Sequence, residues 1–364
     1  MAILGNLIEQ IRGVSYKPED LHDALNDDSV ILLRANNIKD GQLNFDDVVY
    51  VDKRKVSAKQ LLKAGDILIC ASSGSKDLVG KAAYVTNDLP MTFGAFCKVV
   101  RPKTEYPKYI GHFFNSPYYR ERISSSAAGA NINNIRNEHI DVLEIAWPSL
   151  EEQHNVIKVL DNVSELIALR KEQLAKLDQL IKSRFVELFG SLHDNQKGLE
   201  IVAIEDLCIL IKDGTHQTPT YTEDKNAGFK FLSSKDVMTQ KICWEDIKYI
   251  PADLHEKLYA AIQPRRNDIL MSKNGVNYGV AAVNDTDEVF DIYVSLALLR
   301  PKMDRVNPVY FRCAINTPDT KRQFDASIKG IGVPNLHLGE IKKTKILLPP
   351  MSQQKEFVAF VEQT

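Results

Sequence analysis

Residues 150–189 read LEEQHNVIKVLDNVSELIALRKEQLAKLDQLIKSRFVELF, a stretch without a glycine or a proline. Apolar side chains recur at Val156, Leu160, Val163, Ile167, Leu174, Leu177, Ile181 and Leu188. Alternating steps of three and four residues place them on one stripe of a helix, the seam of a coiled coil. Arg170 and Arg184 fall on the same seam and must snorkel or pair. Ser149 and Glu152 form a capping box at the start, and Gly190 supplies a C-terminal stop. At 1.5 Å per residue such a helix is about 60 Å long. Its apolar stripe stays wet unless a second helix covers it.

The segments on either side of this helix repeat each other at a spacing of about 200 residues. Gly65-Asp66-Ile67-Leu68 matches Asn267-Asp268-Ile269-Leu270, and Gly80-Lys81-Ala82-Ala83 matches Gly279-Val280-Ala281-Ala282. Arg101-Pro102 matches Arg300-Pro301, and Asn115-Ser116-Pro117 matches Asn316-Thr317-Pro318. The Gly-Asn segment 129–133 matches 330–335, and Pro148-Ser149-Leu150-Glu151-Glu152-Gln153 matches Pro349-Pro350-Met351-Ser352-Gln353-Gln354. Two copies of one module present two similar surfaces, which suits a target with two halves. The second copy reaches the opening of its own helix at Ser352, and only a few turns follow to Thr364. The expectation is a shortened second helix, completed by the rest of the protein or by another chain.

Each copy carries short apolar runs broken by Gly, Asn, Asp and Pro. Val30-Ile31-Leu32-Leu33, Val48-Val49-Tyr50-Val51, Ile67-Leu68-Ile69-Cys70 and Phe96-Cys97-Lys98-Val99-Val100 read as strands in the first. Phe229-Lys230-Phe231-Leu232, Ile269-Leu270-Met271 and Leu296-Ala297-Leu298-Leu299 answer them in the second. A helix is expected over 109–123 and another over 309–324. The reading is α+β: module one over residues 1–149, a helical spacer over 150–190, module two over 191–348 and the start of a second spacer helix over 349–364.

The 364 residues suit two domains, and 44% hydrophobic with 26% charged residues is ordinary for a globular chain. There is no run of 18 apolar residues and no signal-peptide pattern at Met1-Ala2-Ile3-Leu4, so a cytoplasmic protein without a membrane span is expected. Five scattered cysteines without CxxC spacing read as reduced thiols. The net charge of −2 argues mildly against a nucleic-acid binder, but local cation clusters decide that, and Lys53-Arg54-Lys55, Arg265-Arg266 and Lys342-Lys343 are present.

Catalytic patterns are missing. GSKDLVGK at 74–81 has five residues between its glycines and Ala82 in place of the magnesium-binding hydroxyl, so it is no phosphate loop. No Gly-x-Gly-x-x-Gly follows a strand, no Asn/Asp-Pro-Pro-aromatic turn occurs, and the histidines are isolated. The chain is expected to be no enzyme, with no metal and no cofactor of its own.

Loops, by contrast, are rich in the residue types that contact DNA. Near the module starts stand Arg12, Ser15, Tyr16 and Lys17, and Lys212, Thr215, His216, Thr218 and Tyr221. Each loop combines Gly for close approach, hydroxyls and cations for phosphates, and an aromatic ring. A capped turn with its Tyr packed on the module is the alternative. Arg34, Asn36 and Asn37, and the matching Ser233, Ser234 and Lys235, are base-edge candidates, since Arg reads guanine and Asn adenine. Ser72, Ser73 and Lys76, and Ser272, Lys273, Asn274 and Asn277, follow equivalent strands. Asn131, Asn133, Asn134 and Arg136, and Lys329 and Asn335, lie in Gly-Asn segments that suit either close approach to DNA or left-handed turns.

The two-copy order around the helix resembles the specificity subunit of type I restriction–modification systems. The P-x-L-E-E-Q opening and K-x-x-L-D-x-L-I-K-S-R-F-x-E-x-F-G close of 148–190 are similar to that family's conserved spacer. Asp213-Gly214-Thr215-His216 with Thr218-Pro219, then Phe231-Leu232-Ser233-Ser234-Lys235-Asp236, is similar to one type of target-recognition domain, and Arg34-Ala35-Asn36-Asn37-Ile38 to another. The resemblance implies two target-recognition domains separated by a long helix that forms an antiparallel coiled coil with the C-terminal one. It implies recognition of a bipartite double-stranded DNA target and scaffolding of two methyltransferase subunits, which carry S-adenosylmethionine, and of a motor-nuclease restriction subunit. A second copy or fragment of the chain is a further candidate partner. A coiled-coil adaptor that does not read DNA is the rival reading.

Overall fold

A computed structural model describes residues 1–75, 78–126, 133–328 and 334–364, without the side chains of residues 126 and 133. The chain divides into two compact units, 1–170 and 171–364.

In the first unit Ile67–Cys70 is the central strand, and it is buried on both faces, which is why it reads as an unbroken apolar run. It pairs antiparallel with Ala82–Tyr84 and Cys97–Pro102, and Cys97–Pro102 pairs antiparallel with Ile8–Arg12. Ile67 and Ile69 share a core with Ile110, Phe114, Tyr119 and Ile123 from two helices. Leu68 and Cys70, one pleat out of phase, share another with Leu33 and Phe93 of a second sheet. That sheet runs in the order Met91–Phe93, Ser29–Leu33, Val49–Asp52, Leu21–His22, its first pair parallel.

The second unit repeats this layering. Ile269–Ser272 lies between Leu296–Pro301 and Ala281–Val283, and Cys208–Asp213 flanks Leu296–Pro301. Ile269 and Met271 share a core with Tyr310, Phe311 and Phe324, and Leu270 with Leu232 and Phe290. Phe229–Leu232 runs parallel to Phe290–Ile292 and antiparallel to Lys248–Ile250.

The repeated motifs are shared structural devices. Gly65 and Asn267 both have left-handed backbone, φ +89° and +73°, which glycine and asparagine tolerate. The next residue is a buried aspartate in each copy. Asp66 accepts Nε and Nη2 of Arg101 at 2.7 and 2.8 Å and the Lys63 amide at 2.8 Å. Asp268 accepts Arg300 at 2.8 Å twice and the Arg265 amide at 2.8 Å. Removing one partner of such a pair costs about 3–5 kcal/mol, because the other charge stays buried. Tyr109 and Tyr310 donate to the carbonyls of Ala146 and Leu347 at 2.9 and 2.7 Å. Gln153 and Gln354, both buried, donate to those of Pro148 and Pro349 at 3.0 and 2.9 Å.

The single helices expected over 109–123 and 309–324 are each two helices, Pro107–Phe114 with Pro117–Ser126 and Pro308–Ile315 with Pro318–Ser327. Pro117 and Pro318 have no N–H to extend the preceding helix and push the residue before them out of the helical region.

The long helix is continuous from Leu150 to Phe189. The Ser149 amide donates to Glu152 at 2.9 Å, and Gly190 closes the helix at φ +76°. In the first unit, Lys108 and His112 reach Asp161 of the long helix at 2.7 and 2.9 Å. In the second unit the C-terminal helix, Met351–Gln363, runs antiparallel to it: Phe357 lies 5.4 and 5.6 Å from Phe185 and Phe189, and Val361 packs in the same core as Ile181. Arg184 pairs with Glu187 at 2.9 Å and lies over the Phe360 ring. Upstream the seam is open: Val163, Ile167 and Leu174 are 46%, 53% and 63% exposed. Among the described residues no helix is long and apolar enough to cross a membrane.

Candidate nucleic-acid interface

In the first unit the turn Gly94-Ala95-Phe96 joins the two sheets and gathers the loops. The Val14 amide donates to Phe93 O at 2.7 Å, which docks the loop 12–17. The Gly94 amide donates to Leu33 O at 2.9 Å, just before Arg34. Phe96 O accepts the amides of Ala71 and Ser72 at 2.9 and 3.0 Å. Asn133–Asn134 pairs in turn with Ser73 and Ser72, and the Ile135 amide donates to Ala71 O at 2.8 Å. A Cβ on Gly13 would stand 2.1 Å from Gly94 O, so the docked backbone leaves room only for glycine.

Tyr293-Val294-Ser295 does the same in the second unit. The Thr215 amide donates to Ile292 O at 3.1 Å, and the Tyr293 amide to Leu232 O at 2.9 Å. Ser295 O accepts the Lys273 amide at 2.8 Å, and its hydroxyl accepts the Ser234 amide at 3.0 Å. Asn274 bridges to Asn335, and the Leu336 amide donates to Lys273 O at 2.8 Å. A Cβ on Gly214 would lie 2.1 Å from Ile292 O. Both units thus hold four candidate loops at one sheet junction through equivalent backbone bonds.

The side chains differ in availability. Arg12, Ser15, Lys17, Asn36, Asn134 and Arg136 are exposed in the first unit, with Tyr16, Arg34, Ser72 and Ser73 half-buried. Arg12 makes no side-chain ion pair among the described residues. Arg34 and Asn36 both bind Asp47, at 2.9 and 2.7 Å, which an incoming ligand must displace. In the second unit Lys212, His216, Thr218, Tyr221, Lys235, Asn277 and Asn335 are exposed, and Thr215, Ser233, Ser234 and Asn274 half-buried. The Lys248 ammonium covers the Tyr221 ring at 4.1 Å. Lys235 donates to Asp246 O at 2.8 Å, and Lys212 to Ala261 O at 3.3 Å.

Three candidates are corrected. Asn37 is fully buried, its amide spent on Asn44 O and Asp47 O at 2.9 and 2.8 Å and on the Arg34 N–H at 2.8 Å. Ser272 is buried, donating to Asn277 O at 2.9 Å and accepting the Val280 amide at 3.0 Å. Lys273 is buried with its ammonium on Asp213 at 2.5 Å. These three build the loops and present nothing outward. Lys76, Asn131 and Lys329 lie outside the described residues, as does the Asn133 side chain.

Other residues emerge only in three dimensions. Phe96, at the turn itself, is 69% exposed, and Val276 in the equivalent of the Ser73–Ser75 loop is 83% exposed. Lys98 is buried and donates to Gln10 and Asn137 at 2.9 and 2.8 Å, anchoring the chain beside Arg136. Burial brings its ammonium down to about 8, against the pull of Asp141 and Glu138. In the second unit His255 lies 2.7 Å from Asp291, the residue two before Tyr293, and burial pushes that carboxyl up against the His255 bond. Among the described residues no three or more His, Cys, Asp or Glu gather as metal ligands.

A family model described as type I restriction modification DNA specificity domain matches residues 23–179 and again 196–364. The EcoKI specificity subunit of Escherichia coli strain K12 is 29% identical over 371 residues, 97% of this chain and 79% of that protein. The StySPI specificity subunit of Salmonella potsdam is 43% identical over 173 residues, 47% of this chain and 37% of that protein. Among solved structures, the type I restriction-modification S subunit from M. genitalium covers 100% of this chain and 88% of its own, with TM-score 0.49 and 15% identity.

Proposed function

The chain belongs to the type I restriction modification DNA specificity family, and from that premise we propose that it is a DNA reader whose two four-loop faces each recognise one half of a bipartite duplex target. The observation that carries this reading is the repeated constellation, in which Gly13 and Gly214 dock equivalent loops on equivalent turns. Exposed Arg12, Lys17 and Arg136, and Lys212, His216 and Lys235, suit phosphate contacts, while Asn36, Asn134, Asn277 and Asn335 suit base edges. Backbone bonds at Val14, Ile135, Thr215 and Leu336 dock these loops on the units, which lowers the ordering cost that opposes binding.

In this reading the chain is non-catalytic and holds no cofactor. Methyl transfer to adenine belongs to two methyltransferase subunits that carry S-adenosylmethionine, and cleavage to a motor-nuclease subunit. The open apolar stripe at Val163, Ile167 and Leu174 supports a scaffolding role for the long helix. The test is a comparison of genomic adenine methylation in cells with and without the gene. Loss of one motif made of two short half-sites with a fixed gap is expected. An unchanged methylome in cells that express the partner subunits, or loss of an unsplit motif, refutes the reading.

A further inference from the structure

We propose that Phe96 is a specificity-determining residue of the first unit, its ring meeting the C5 methyl group of a thymine in the half-site which that unit reads. The inference rests on the DNA-reading function above and adds to it one named base contact. Phe96 is 69% exposed, an uncommon state for a large apolar ring on an ordered turn. The turn is pinned at both ends. The Cys97 amide donates to Gly94 O at 2.8 Å, and Phe96 O accepts both Ala71 and Ser72. The turn backbone is therefore fixed, and the ring stands exposed on it.

Its surroundings are polar and suited to a groove. Val14 of the loop 12–17 bridges to Gly94, and Ser72 with Ser73, carrying Asn134 and Asn133, hang from the Phe96 carbonyl. Hydroxyls, amides and Arg12 match the donors and acceptors of base edges and phosphates, yet none of them matches a methyl group. In the major groove thymine alone of the four bases offers one, and apolar side chains read it. Any half-site methylated at adenine holds a thymine opposite that base. The second unit places Ser295 at the same position, buried, its hydroxyl already accepting the Ser234 amide. The two faces thus differ at this position, an exposed ring in the first and a buried hydroxyl in the second.

The test uses the full chain assembled with its methyltransferase subunits and a duplex carrying the motif found by methylome comparison. Each thymine of the first half-site is replaced in turn by uracil, which deletes only the methyl group. Affinity is measured for the wild type, Phe96→Ala and Phe96→Ser. For the wild type, uracil at one position is expected to weaken binding about four-fold, the effect of one buried methyl. Both variants are expected to bind the thymine duplex several-fold more weakly and to be indifferent to uracil at that position. They should still reject base changes at the other positions of the first half-site, which shows that the first unit is folded. A wild type indifferent to every uracil, or variants as sensitive as the wild type, overturns the proposal. A ring wedged between base steps would give the latter result. Absence of any sequence preference in the wild type overturns the DNA-reading function itself, and this proposal with it.

Discussion

Gly214 shows how a single residue sets the face that a whole unit presents. Its missing Cβ lets the loop 212–221 lie against Ile292, with an added carbon 2.1 Å from the carbonyl oxygen. Gly214→Ala must therefore lift the loop or shift the Tyr293 turn. A stability loss of about 1–3 kcal/mol is expected from such overpacking, read as a lower urea midpoint. Recognition of the second half-site should fall at least about tenfold, while substitutions in the first half-site are still rejected. Equal loss of discrimination at both half-sites would contradict the assignment. Buried polar side chains serve the same end by fixing loops from beneath. Lys273 on Asp213 ties the segment after Ile269–Ser272 to the start of that loop, and Lys98 holds Asn137 next to Arg136. The residue types that suggest DNA contact are also those that build turns, so only burial separates Asn36, exposed, from Asn37, enclosed.

At the scale of elements the long helix was legible almost to the residue. Capping, absence of helix breakers and a seam of period 3.5 are local properties, and they dictate Leu150–Phe189. The paired helices were less so. Asn115-Ser116-Pro117 and Asn316-Thr317-Pro318 were visible as a repeat, and the proline breaks the helix there. Seven residues inserted after Arg170 would add about 10 Å of rise and turn the stripe by only about 20°. If the long helix sets the spacing of the target, such a variant should methylate the same half-site bases with an altered gap, or fail to assemble. A normal gap with full methylation would show that the helix is no ruler.

For the whole molecule the duplication is the governing fact. Both units place a doubly buried strand between a helix pair and a second sheet, and both gather four loops at the turn between sheets. Replacing residues 1–149 by another recognition module should change one half of the methylated motif and spare the other. Sequencing that finds both halves altered would mean that the units do not read separately. By itself the sequence determined what short-range chemistry sets: the helix, the strands, the αL and proline turns, and the order in which all of these recur. Tertiary structure decided which loop residues face outward. Asn37 and Ser272 are enclosed by their own loops, through bonds spanning 3 to 10 positions, while Lys273 reaches Asp213 across 60 and Phe96 is held from Ala71 and Ser72; burial depends on how those segments pack, which residue types alone do not record.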